Sequence, residues 1–343
     1  MDNSQVLNQI VNENEKSAFK AMYTDMVTGK AILNPEQLGQ FLRYATLPQT
    51  ILSDAKFELM NRPKKELNRT GINGRVLTNG YNSAGVTDGS NITAADVDFG
   101  ANELDVKKLK AMCEITDDEK EDNIEQAQFE QTLLSMMGER IGEDLEYWAL
   151  FGDTSLSSDG LLGTNDGWLK IAGNQLKSKG VDSDSGSFDL ATGTVEDMFD
   201  KMIVAMPPRF RNRNNLKFYV PFEVEDAYRN LLKSRGTQLG DSTQTGFSGL
   251  SYKGIPIQHC TTLDAEDART AAGTVKCTLQ DPRNMNYGVW KNISVEPERE
   301  PAKENTKYWF RIRADVEYNF REAAVVSSMT ADEVSKIQAS HKI

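Results

Sequence analysis

The longest regular pattern of apolar and polar positions lies between Asn123 and Asp153. Phe129, Leu133, Met137, Ile141, Leu145 and Trp148 recur every three or four residues, which makes one apolar stripe along a helix. Asn123 with Gln126 supplies a start signal and Gly152 a stop. The spacing predicts a helix of about 27 residues, roughly 40 Å long. Its opposite face carries Glu125, Glu130, Glu139, Glu143, Asp144 and Glu146, so one side is expected to meet the core and the other solvent.

The chain before it has three parts. Residues 4–27 are amphipathic through Leu7, Ile10, Val11, Ala18, Met22 and Met26, and Asn34-Pro35 opens a second helix that ends before Pro48. Two readings stand for this arm: ordinary surface helices, or a clasp on a neighbouring subunit. Phe57, Leu59 and Met60 begin a strand, after which large apolar residues become scarce from Gly71 to Asp96. Such a stretch cannot build its own core, and it reads as a long two-stranded arm projecting onto another molecule. Its first limb is basic, with Arg62, Lys64, Lys65, Arg69 and Arg75 against Glu66. Residues 109–115 read as a strand, followed by a short acidic helix that Thr116 and Glu119 would cap.

After the long helix comes a turn-rich segment, residues 153–166, whose Asp and Gly serve turn geometry and lack the spacing of a calcium loop. A helix is predicted from Thr194 to Met206, stopped by Pro207-Pro208, and Arg209, Arg211 and Arg213 follow as loop arginines or phosphate contacts. A strand at 216–221, a helix at 222–232, a polar loop at 234–249 and a bent strand or strand pair at 250–260 come next, with Gly254 and Pro256 at the bend. The last third reads as β. Strands are expected over 286–295 and over 308–320, the second alternating Tyr308, Phe310, Ile312, Ala314, Val316, Tyr318 and Phe320 with polar partners. Residues 323–326 are expected to close that sheet, and the final SHKI to fray. A long-stranded antiparallel sheet lying along a long helix would bury both apolar faces.

Bulk properties narrow the function. The net charge of −12 argues against a general nucleic-acid binder, although a container for nucleic acid is compatible with it. No apolar run reaches membrane-helix length, and the first residues lack the features of a signal peptide. Cys113, Cys260 and Cys277 have neither metal nor redox spacing and read as reduced core thiols. The two histidines, His259 and His341, assemble no catalytic pattern, and no nucleophile elbow, phosphate loop or dinucleotide fingerprint occurs. No cofactor, metal or enzymatic activity is expected.

The segments ILNPEQLGQFLRYATLPQTIL, LDVKKLKAMCEITDDE, EYWALFGD, LLGT, LKFYVPFEVEDAYRNLL, LSYKGIPIQHC and WFRIRADVEYNFREAAVV, in that order over residues 33–326, resemble the major capsid protein of tailed bacteriophages, with the Hong Kong 97-like fold. The resemblance implies an α+β chain with a spine helix, a peripheral β-sheet, an inserted axial domain, an extended loop and an N-terminal arm. It divides the chain into an arm (1–56), an extended loop (57–107), a peripheral domain (108–164 and 285–330), an axial domain (165–284) and a tail (331–343). It implies hexamers and pentamers closing an icosahedral shell around double-stranded DNA, with portal and scaffolding proteins as partners. About thirty residues precede the match, so a separate or a short fused scaffold is to be considered. The location implied is the virion, assembled in the host cytoplasm. The alternative is the shell subunit of an encapsulin-type compartment. The local excess of positive charge adds a subunit-interface expectation: Arg62, Lys64, Lys65 and Arg69 dock on an acidic neighbour, either the spine helix or the cluster Asp117, Asp118, Glu119, Glu121 and Asp122.

Overall fold

A computed structural model of the chain describes residues 50–73, 77, 96–117, 129–156, 160–190, 193–212, 214–234, 249–264, 274–290 and 294–340. The elements in chain order are α1 (Thr50–Asp54), β1 (Lys56–Met60), β2 (Lys64–Asn73), β3 (Asp96–Asp105), β4 (Lys107–Thr116), α2 (Phe129–Phe151), α3 (Trp168–Ile171) and β5 (Asn174–Lys177). They continue with α4 (Val195–Ala205), β6 (Lys217–Val220), α5 (Phe222–Ser234), β7 (Ser251–Tyr252), β8 (Ile255–His259) and β9 (Thr274–Gln280). The chain closes with β10 (Met285–Trp290), β11 (Ser294–Glu300), β12 (Asn305–Tyr318), β13 (Ala324–Thr330) and α6 (Ala331–Ser340). The two helices expected before residue 49, the acidic helix after Asp117, and the polar loop from 235 lie outside the described residues.

Two sheets carry two cores. The first sheet is built around β12, which spans 14 residues, or about 46 Å at 3.3 Å per residue. β10 and β11 follow one another along one side of it, both antiparallel, while β4 pairs along the other side and β1 lies parallel beside β10. The single strand expected over 286–295 is therefore two strands. The register sum shifts by two between Val289↔Ala314 and Ser294↔Arg311, so the edge cannot continue as one ladder. The spine α2 lies on this sheet. Ile141, Leu145 and Trp148 pack with Tyr308, Phe310 and Ile312, as the apolar stripe requires.

The spine ends where expected, for a packing reason. Gly254 is the described glycine at positive φ, so Gly152 is not a left-handed cap. A Cβ on Gly152 would lie 2.6 Å from the Asn165 carbonyl oxygen and 2.8 Å from that of Trp148. The returning chain presses against the helix end there, and the Gly167 N–H donates to the Gly152 carbonyl at 2.8 Å. In the turn segment, Lys170 bridges Asp153 and Asp166 at 2.6 Å each, and hydrogen bonding to Lys170 holds the Asp153 carboxyl down at about 2. The carboxylates of this segment close turns, as the spacing suggested.

The second sheet has the order β5-β13-β9-β6-β8-β7 and packs against α4, α5 and α6. Thr194 and Asp197 form a capping box at the start of α4. Of the two readings left for 250–260 the strand pair holds: β7 and β8 form a hairpin turning at Lys253 and Gly254, both at positive φ, and Pro256 lies in β8 rather than at the bend. One expectation fails here. Residues 324–330 do not close the β12 sheet; β13 pairs with β9 and β5 in the second sheet. Residues 331–340 form helix α6, with Val334 and Glu333 buried, and His341, Lys342 and Ile343 of the tail expected to fray lie outside the described residues. The Glu333 carboxylate accepts from the Ser178 hydroxyl (2.5 Å) and the Gly180 N–H (3.0 Å), which fastens α6 to the second unit. Cys260 and Cys277 are buried free thiols and Cys113 is partly buried.

Candidate assembly surfaces

β2 and β3 pair over ten residues, from Lys64↔Asp105 to Asn73↔Asp96, a ladder about 33 Å long. This is the two-stranded arm the sequence suggested. Met60, Leu67 and Leu104 form a small separate core at its root. Gly288 in β10 makes room for them: a Cβ there would meet Met60 Sδ at 2.9 Å and Leu104 Cδ1 at 3.2 Å. The root is also tied to β12 by polar bonds. Asn102 Nδ2 donates to the Tyr318 carbonyl at 2.6 Å, and the Asp105 N–H donates to Asp315 Oδ2 at 2.5 Å.

Asp315 shows what the alternating pattern of β12 conceals. It falls on the polar register, yet it is buried, because the arm root covers it. Its other oxygen accepts from Asn165 Nδ2 (2.7 Å) and the Val316 N–H (2.8 Å). Burial pushes its carboxyl up to about 6, against those donors and the nearby Lys107, which act downward.

Glu146 departs further from expectation. The apolar stripe put it on the solvent face of the spine, whereas it is completely buried. Its Oε2 accepts from the Ile51 N–H (3.2 Å) and the Leu52 N–H (3.1 Å) in the first turn of α1, where helix amides have no internal partner. Its Oε1 accepts from the Thr262 hydroxyl (2.6 Å) and the Cys260 thiol (3.5 Å) in the loop after β8. On the neighbouring α1 residue Asp54, the carboxylate accepts from Lys217 and from the Tyr219 hydroxyl of β6, each at 2.8 Å. One short helix thus joins the spine to the second sheet.

The residues singled out for a subunit interface fall into three groups. Lys64 pairs with Glu103 (3.0 Å) and Asp105 (3.8 Å) across its own ladder, and the Glu103 hydrogen bond raises its pKa. Lys65 pairs with Glu58, Arg69 lies 5.9 Å from the Phe320 ring, and Asp117 pairs with Arg299 at 2.9 Å. Arg62 is exposed and has no partner among the described residues. Asp118, Glu119, Glu121 and Asp122 lie outside those residues. The acidic limb β3 balances the basic limb β2, a pairing that the first limb alone could not reveal. Two of the three loop arginines serve the fold, and Arg213 lies outside the described residues. Arg211 donates to the Met206 (2.6 Å) and Val204 (2.7 Å) carbonyls at the end of α4. Arg209 pairs with Glu322 at 2.5 Å and lies over the Phe210 ring.

No group of metal-ligating side chains occurs among the described residues, and no described helix is long and apolar enough to cross a membrane. What the fold presents is a beam of helix and strand, a second unit, and a two-stranded arm rooted on the first sheet. These are the parts of a shell subunit. The model of the phage capsid family matches residues 24–325, and the chain belongs to that family. It is 29% identical over 274 residues to the putative prophage capsid protein YqbE of Bacillus subtilis (strain 168), across 78% of this chain and 83% of that one. Among solved structures, a chain of the satellite phage P4 procapsid, determined with its size determination protein, superposes with a TM-score of 0.60 at 12% identity. That match covers 92% of this chain and 98% of that one. A capsid chain of a native GTA particle gives 0.57 at 13% identity over 84% and 91%, and one of Mycobacterium phage Ogopogo 0.55 at 12% over 82% and 92%. At these identities the structural matches establish the fold, which is α+β and Hong Kong 97-like. The chain is a capsid shell protein.

Proposed function

We propose that the chain is the major capsid protein of a tailed bacteriophage, assembling into hexamers and pentamers that close an icosahedral head around double-stranded DNA. The family match from residue 24 to 325 carries this reading, because it runs through the spine, both sheets and the arm rather than through one module. Portal and scaffolding proteins would be its partners, the host cytoplasm its place of assembly and the virion its destination; no catalysis is assigned to it. Residues 1–56 would form the N-terminal arm and 57–107 the extended loop. The strand pairings favour a peripheral unit of 108–164 with 285–323, and an axial unit of 165–284 joined by 324–340. The basic limb remains a proposed contact with a neighbour, through Arg62 first, since Lys64 and Lys65 already have carboxylates in their own chain.

The test is negative-stain microscopy and light scattering of the chain expressed alone and with a scaffolding protein. Closed shells, or rings of five and six subunits, are expected. Nuclease-resistant duplex DNA in native particles is expected as well. A chain that stays monomeric in both settings would refute the reading.

A further inference from the structure

The face of the first sheet turned away from the spine carries a charge arrangement that the isolated chain does not explain. Register places Lys110 directly opposite Arg311 and Lys108 directly opposite Arg313, two successive cross-strand pairs of like charge. Opposed like charges on one face of a ladder are destabilising. Arg311 is answered by Glu296 at 2.7 Å, and Arg313 lies over the Trp290 ring at 4.5 Å. Lys108 and Lys110 are exposed and have no carboxylate partner among the described residues. This cationic cluster sits on a chain of net charge −12.

We propose that this face, centred on Lys108 and Lys110, is a contact surface for a carboxylate-bearing segment of a second copy of the chain. The inference rests on the capsid reading and gives it a specific surface. Three observations favour a protein occupant. Met112, two residues along β4, is 45% exposed and stands opposite Trp309, so the cations border an apolar centre of the kind protein interfaces have. Beyond that centre the same face turns acidic at Glu114, opposite Lys307, and at Glu298, which accepts from the Trp309 indole N–H at 2.8 Å. A duplex backbone would need the positive strip to continue, and these carboxylates would repel its phosphates. A second copy, by contrast, brings an excess of twelve negative charges, and among the described residues β4 pairs with β12 alone. Lysines on an edge strand can also serve to discourage sheet-to-sheet aggregation. That role accounts for Lys108 and Lys110 singly but not for their standing opposite two further cations on the same face.

The experiment uses shells assembled from equal amounts of 15N-labelled and unlabelled chain, treated with a carbodiimide that joins an amine and a touching carboxylate with loss of water. Peptide mapping is expected to find Lys108 or Lys110 linked to an Asp or Glu of the other isotopic population. Separately, the double variant Lys108→Glu/Lys110→Glu, which turns both like-charge pairs into opposite-charge pairs, is expected to fold with unchanged circular dichroism and a melting temperature no lower than that of the unmodified chain. Its shell yield should fall at least tenfold at moderate salt, and single Lys→Gln variants should give intermediate yields. Shells of the unmodified chain with no cross-copy link at either lysine, together with wild-type yield from the double variant, would overturn the inference and leave the capsid reading standing. Protection of the two lysines that disappears when packaged DNA is digested would assign the face to nucleic acid and overturn it as well. Absence of shells from the unmodified chain would remove the capsid reading first.

Discussion

Replacing Glu146 tests how the segment before β1 is held to the spine. In Glu146→Ala, the Ile51 and Leu52 amides lose their only described side-chain acceptor, at 3.2 and 3.1 Å, and the Thr262 hydroxyl loses its partner. A buried amide without an acceptor costs about 1–3 kcal/mol, and water entering the vacated space recovers part of that. The net loss is about 3 kcal/mol, which for a chain of this length lowers the melting temperature by roughly 4 °C. Glu146→Gln keeps one acceptor oxygen. That oxygen can serve the two amides while the new NH2 donates to Thr262, whose hydroxyl rotates to accept; the loss is about 1 kcal/mol. Amide hydrogen exchange supplies the local assay. In the alanine variant the amides of α1 should exchange about 100-fold faster, with β9 and β12 unchanged, since 1.4 kcal/mol corresponds to tenfold. Exchange at Ile51 and Leu52 that is the same in all three proteins would refute the anchor.

Asp315 should give the chain a pH-dependent stability term of opposite sign to that of an ion-paired carboxylate. Its folded value is raised from 3.8 to about 6, so its contribution is fully present below about 3.8 and is lost as pH rises through 6. The difference corresponds to roughly 3 kcal/mol, and melting of Asp315→Asn between pH 4.5 and 7.5 should lack that slope; parallel profiles for the two proteins would reject the assignment. Gly152→Ala should cost about 1–3 kcal/mol by forcing a methyl against the Asn165 and Trp148 carbonyls. Gly160→Ala, with nothing within 4 Å, is its control and should melt as wild type. Lys64→Glu/Lys65→Glu places new carboxylates against Glu103, Asp105 and Glu58, so proteolysis within the arm should accelerate and shell yield should fall. Restoration by Glu103→Lys/Asp105→Lys in the same chain would confirm the intrachain role, and restoration only when those changes sit on a different copy would return the lysines to the interface.

Local patterns were legible wherever one element met one core. The stripe of α2, the alternation of β12, the helix opened by Thr194 and the Lys253-Gly254 hairpin are all written within a dozen residues of themselves. What the sequence hid was set by distant segments. Glu146 sits among acidic neighbours in a helical repeat and reads as solvent-facing until α1, 95 positions earlier, folds over it. Asp315 alternates correctly with apolar residues and is buried only because Asp105, 210 positions earlier, returns across the strand. The assignment of β13 to the second sheet was hidden for the same reason: strand composition gives a face and a period but not a neighbour. The charge balance of the arm needed both limbs in register, and β3 lies more than twenty residues beyond β2.

Two of the buried carboxylates that sequence reading placed at the surface, Glu146 and Asp315, solve one mechanical problem. Two segments are fastened to the beam in the same way, α1 and the root of the β2–β3 ladder. At each, a carboxylate on a beam element, Glu146 on the spine and Asp315 on the central strand, accepts hydrogen bonds from backbone amides of the departing segment. Binding the backbone fixes the direction of departure without constraining the side chains of the arm. Those side chains stay available for contacts outside the subunit. A shell subunit needs that separation, because modest contacts repeated by symmetry select one curvature only if each arm leaves at a fixed angle. Loosening either anchor should therefore broaden the distribution of particle sizes before it unfolds the subunit. Particles of wild-type uniformity from Glu146→Ala or Asp315→Ala, in variants whose anchored amides are demonstrably freed, would separate exit angle from curvature and defeat that argument.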